Sequence, residues 1–141
     1  MALQERLGEI LDGVLPVTRE DDGAVTVHHD ETFASLRTVA VAEGLELVSL
    51  TQILAWDLPL DAKLRAAVAE HAHNTLLGTV SLASKSAPKE VAAGARRNSK
   101  KAADVLLRYN FPAAGLTDDA LRTLILMVLA TGAEVRRALV G

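Results

Sequence analysis

Asp104-Val105-Leu106-Leu107-Arg108-Tyr109-Asn110-Phe111-Pro112 is the stretch that decides the fold. Val105, Leu107, Tyr109 and Phe111 alternate with Leu106, Arg108 and Asn110. Side chains two apart on a strand share a face, so this is the cleanest strand signal in the chain. Pro112 closes it, because proline cannot donate to a ladder.

Working toward the C-terminus, Thr117-Asp118-Asp119 opens a helix. Thr117 can cap it, and the two aspartates sit at the positive end of the helix dipole. Leu121, Leu124, Ile125, Val128, Leu129, Val135 and Leu139 form its buried stripe. Leu126 and Met127 widen that stripe, so this helix is covered on more than one side. Arg136 and Arg137 fall in the last turn, against the negative end.

Working toward the N-terminus, a basic excursion spans about 84–103. From Lys85 to Lys101 there are six basic residues and one acid, Glu90, giving +5; the rest of the chain is −8. Before it, Thr79 to Ala83 reads as a short strand. Leu60, Leu64, Ala67, Val68, His71 and Thr75 recur at helical spacing, which predicts a helix from Leu60 to Leu77 with Gly78 as its stop. Pro59 suits the first turn of that helix and Asp57 its cap. Phe33 to Ala42 and Leu45 to Trp56 flank Glu43-Gly44 and read as a hairpin. The second run would also line a helix, but Val48, Thr51 and Ile53 favour a strand. Ala24 to His29 is short and β-branched, a third strand. Leu3, Leu7, Ile10, Leu11 and Val14 make residues 2–15 an amphipathic helix ended by Gly13 and Pro16.

The predicted order is helix, three strands, helix, two strands, helix. It describes one α+β domain over residues 1–141, with a mostly antiparallel sheet packed by helices.

Composition narrows the chemistry. The chain has 141 residues, is 50% apolar and 23% charged, and can bury a core. Only 3% is aromatic: Phe33, Trp56, Tyr109 and Phe111. Recognition by stacking on ring faces needs more rings. There is no cysteine, which excludes disulfides, thiolate metal sites and cysteine nucleophiles. Glu5, Glu9 and Asp12 stand where a secretory signal would be uncharged, and the longest apolar run, Leu124 to Ala130, has seven residues. A membrane span needs roughly 20. A cytoplasmic protein without a membrane partner is the expectation.

Catalytic signatures are missing. There is no GxxxxGK, GxGxxG, GxSxG or HExxH. His28 and His29 point to opposite faces of a strand and do not share an ion. His71 and His73 lie about 200° apart on a helix and do not chelate as an i, i+4 pair would. Asp21-Asp22 and Asp118-Asp119 are explained by a turn and a helix start. Ser81, Ser84, Ser86 and Ser99 lack an identifiable base. The expectation is no enzyme, no cofactor and no metal. An anionic partner for Lys89, Arg96, Arg97, Lys100 and Lys101, including nucleic acid, is the alternative function, against a simply solvated loop.

The helix Leu60 to Leu76, the strand Leu77 to Leu82, the strand Asp104 to Pro112 and the closing helix from Leu116-Thr117-Asp118-Asp119 resemble the class I type III secretion chaperone fold. They also resemble the related YbjN-type domains, labelled as bacterial sensory transduction regulators. The resemblance implies a non-enzymatic homodimer that holds a non-globular stretch of another polypeptide. Carried over by position, the partner-binding patch is Leu3, Leu7, Ile10 and Leu11 on the first helix. Leu36, Val39, Val48 and Leu50 contribute from the sheet, with the face unassigned. Leu64, Val68 and His71 are then near the dimer contact. The basic excursion is longer than that pattern expects.

Overall fold

A computed structural model describes residues 2–85 and 101–140. Its elements are α1 (Leu3–Asp12), β1 (Val17–Arg19), β2 (Val25–His29), β3 (Thr32–Ala42), β4 (Leu45–Pro59), α2 (Ala62–Asn74), β5 (Thr79–Lys85), β6 (Ala102–Pro112) and α3 (Asp118–Val140). The six strands form one antiparallel sheet in the order β1-β2-β3-β4-β6-β5. The α+β class and the antiparallel sheet agree with the sequence reading.

Four strands precede α2, not three. β1 is three residues long, too short to show a period, and it pairs Val17 with Val27. Two further corrections concern Asp57 and Pro59. β4 runs on through Trp56 to Pro59 with register shifts between Ile53 and Leu58. Asp61, not Asp57, caps α2: its carboxylate accepts from the Leu64 amide at 2.8 Å. The helix ends at Asn74, and Gly78 (φ 84°) turns the chain into β5. The strand parts of the basic excursion reach further than expected, to Lys85 on one side and from Ala102 on the other.

The core lies between the sheet and the helices. Val25, Val27, Ala34, Leu36, Val48, Leu50, Leu54, Val80, Val105, Leu107 and Phe111 face inward from the strands. Leu7 and Leu11 of α1 and Leu121, Ile125, Val128 and Leu129 of α3 meet them. Burying each such leucine stabilises by about 1.5–3 kcal/mol. α1 packs over β1–β3, α3 over β2–β4, and α2 over β5 and α3. All three helices therefore share one face of the sheet. Arg6 ties α1 to the start of α3: its guanidinium donates to Asp118 Oδ1 at 2.8 Å and to the Leu116 carbonyl at 2.9 Å. Thr117 caps α3 as expected, accepting from the Ala120 amide at 3.1 Å.

One polar side chain sits inside. Gln52 on β4 donates to Thr32 Oγ1 at 2.9 Å and to the Leu129 carbonyl of α3 at 3.1 Å. Its Oε1 has no hydrogen-bond partner. Gly132 faces it across the sheet–helix seam, and a Cβ there would collide with the Gln52 amide.

Candidate functional site

The face of the sheet opposite the helices is bare among the described residues. Antiparallel pairing lays its side chains out in cross-strand rows. The first row is His28, Phe33, Ile53, Leu106 and Ser81. The second is Thr26, Ser35, Thr51, Arg108 and Thr79. Arg37, Ser49 and Asn110 make the third, and Val39, Leu47 and Pro112 the fourth. Two apolar rows thus bracket two polar ones.

A solvated sheet face is expected to alternate to polar residues. Here Phe33 is 42% exposed and Val39 is 45% exposed. Leu47, Ile53 and Leu106 are half-buried. Phe33 packs edge-on against His28, with ring centroids 4.5 Å apart.

The two arginines of the face differ. Arg37 is committed to Asp22, with Nη1 to Oδ2 at 2.7 Å. The Ala24 amide and then Arg37 hold the Asp22 carboxyl below its usual value. Arg108 is exposed and has no acidic partner among the described residues. Gly78, Thr79, Tyr109 and Asn110 border it in a shallow hollow of about 450 Å³.

At the end of this face, where β5 stops, Lys85 donates to Asp57 Oδ1 at 2.7 Å and bridges Asp104 Oδ1 at 3.0 Å. Those bonds raise the Lys85 pKa, the Asp57 bond contributing most. The ammonium also lies 5.6 Å from the Trp56 ring centroid. Asp104 accepts from the Asp57 amide at 3.0 Å, which holds Asp57 at a φ of 54°.

Most of the residues assigned to partner binding lie elsewhere. Leu3, Leu7, Ile10 and Leu11 are buried under α1 in the chain's own core, as are Leu36, Val48 and Leu50. They form no surface patch, because the apolar stripe of α1 is consumed by the sheet and α3. Val39 alone of the eight is exposed, on the bare face. Leu64 and Val68 are likewise buried against the core, and His71 is half-buried, its carbonyl accepting from Thr75. Lys89, Arg96, Arg97 and Lys100 lie outside the described residues. Lys101 is exposed, and its carbonyl accepts from the Leu60 amide at 3.0 Å. His28 lies on the bare face and His29 on the other. Among the described residues no three His, Asp or Glu side chains converge as a metal site, and no helix is long and apolar enough to cross a membrane.

Sequence reasoning missed Phe33, Ile53, Leu106 and Arg108 as a group. The alternation that pairs Arg108 with Leu106 was visible in the sequence. The register that sets them beside Thr51 and Ile53 was not.

No family model and no curated protein matches the chain. Among solved structures it is similar to YbjN of E. coli, described as a candidate transcription regulator. The TM-score is 0.62 with 11% identity, over 95% of this chain and 88% of that one. At that identity the likeness speaks to the fold alone and does not reach the secretion-chaperone class. The chain has a YbjN-like α+β fold.

Proposed function

We propose that this is a non-enzymatic, homodimeric protein that binds another polypeptide on the bare face of its sheet, in a regulatory or secretion-linked role. One observation carries the reading: two apolar rows, exposed at Phe33, Val39 and Pro112, on a sheet whose helices all lie on the other side. Exposed apolar patches of this kind mark interaction sites. A polypeptide suits the face better than nucleic acid does. Phe33 and His28 are the rings beside its apolar rows, with Trp56 at its far end, too few for bases to stack along it.

The edges of the sheet support the homodimer. β1 is short and follows Pro16, so it is a poor template. β5 offers Thr79–Lys85 with no proline and no acid. Antiparallel pairing of two copies about Leu82 sets Lys85 of each opposite Thr79 of the other, with no like charges facing. The regulatory role is supported by the description of YbjN, which shares the fold. The basic segment remains the handle for the nucleic-acid alternative.

Two measurements test this. Light scattering should give twice the 14.9 kDa chain mass, and Ser81→Lys with Ala83→Lys, which face each other in that pairing, should return a monomer. Reduced, carboxymethylated α-lactalbumin, a permanently unfolded polypeptide, should bind the wild type, and Phe33→Ser with Ile53→Ser should weaken binding about tenfold. Equal binding by that variant overturns the assignment of the face.

A further inference from the structure

We propose that the segment bound on this face is acidic and extended, with a carboxylate at Arg108 between two apolar anchors. The inference rests on the polypeptide-binding reading above and adds the chemistry of the occupant. Arg108 stands in the second row, flanked across the strands by Thr51 and Thr79. It is the arginine of the face without an acid among the described residues, whereas Arg37 is already neutralised by Asp22. Ser35, Ser49, Thr51, Thr79 and Asn110 surround it with donors that suit carboxylate oxygens or a peptide backbone. An arginine fork is the side chain best shaped to hold a carboxylate in two bonds.

The same charge argues against a second copy on this face. Stacked sheets lie about 10 Å apart. A two-fold axis passing near Arg108 would bring that arginine toward its own equivalent with no added acid between them.

Spacing sets the length. Phe33 and Val39 are six residues apart on one strand, about 20 Å at strand rise. An extended occupant running along the strands meets the Ile53–Leu106 row at its first residue and Arg108 at its third. It meets Ser49–Asn110 at its fifth and the Leu47–Pro112 row at its seventh.

The test uses the full-length protein and three heptapeptides with leucine at positions 1 and 7 and serine or threonine elsewhere. Position 3 is Glu, Gln or Lys, and binding is read by calorimetric titration. The Glu peptide should bind most tightly, the Gln peptide about tenfold more weakly, and the Lys peptide more weakly still. Raising salt should narrow the gap. Arg108→Glu should reverse the order of Glu and Lys. Arg108 is exposed, so unchanged thermal melting is expected to show that this variant folds.

Equal binding of all three peptides to the wild type overturns the acidic class and leaves polypeptide binding standing. No binding of any peptide, with α-lactalbumin still bound in a way that needs Phe33 and Ile53, overturns the extended acidic mode. Loss of both overturns the underlying reading as well. Salt-sensitive binding of oligodeoxythymidylate in place of the peptides, or self-association abolished by Ile53→Asp, assigns the face to nucleic acid or to a second copy and also overturns the proposal.

Discussion

Gln52 and Gly132 meet across the seam between β4 and α3 so closely that no side chain fits at position 132. Gly132→Ala should therefore destabilise the fold by about 1–3 kcal/mol, as overpacking does. This reverses the gain of about 1 kcal/mol that alanine brings to an open helix position. Gln52→Ala removes the obstacle, so the double variant should lose less than the two single losses added together. Denaturant unfolding of the four proteins measures that coupling.

The burial of α1 has a consequence for mutagenesis. Leu7→Ala and Leu11→Ala should each cost about 2–5 kcal/mol, because both side chains are fully enclosed. If α1 were instead a docking patch, the same changes would weaken partner binding and leave the melting temperature nearly unchanged. Thermal melts of the variants separate the two cases.

Lys85 should report its own protonation. Its folded pKa lies above 10.5, through its bonds to Asp57 and then Asp104. A raised pKa contributes stability that is fully present below pH 10.5 and fades as pH climbs through the folded value. The stability difference between wild type and Lys85→Met should therefore be constant near neutrality and shrink above about pH 10.5. Trp56 is the chain's one tryptophan, so its emission should shift with the same titration and not in the variant.

Asp22 should act at the other end of the scale. The Ala24 amide and then Arg37 lower its pKa below 3.8. A lowered carboxylate contributes stability present above pH 3.8 and lost as pH falls through the folded value. Asp22→Asn should be less stable than wild type at pH 5 and converge with it in strong acid. Acid titrations of unfolding check the sign.

Much of the fold is legible from local pattern. The β6 alternation, the Thr117 cap and the stripes of α1 and α3 each specify an element and its inward face. β1 is not legible, because three residues carry no period. The extension of β4 past Trp56 is hidden because Pro59 also suits a helix start. The candidate site is harder still. Leu3, Leu7, Ile10 and Leu11 look like a patch only until the sheet beneath them is known. Ile53, Leu106 and Arg108 become neighbours through β4–β6 pairing, and local sequence does not encode which sheet face the helices leave uncovered.

The central claim is that the bare face holds the bound polypeptide. Backbone-amide NMR of the labelled protein, titrated with the unfolded α-lactalbumin, tests it most directly. The account predicts that perturbed signals concentrate at Phe33, Thr51, Ile53, Leu106 and Arg108, with α1 and α2 unmoved. Perturbation confined to α1 or α2, or none anywhere at saturating concentration, would contradict it.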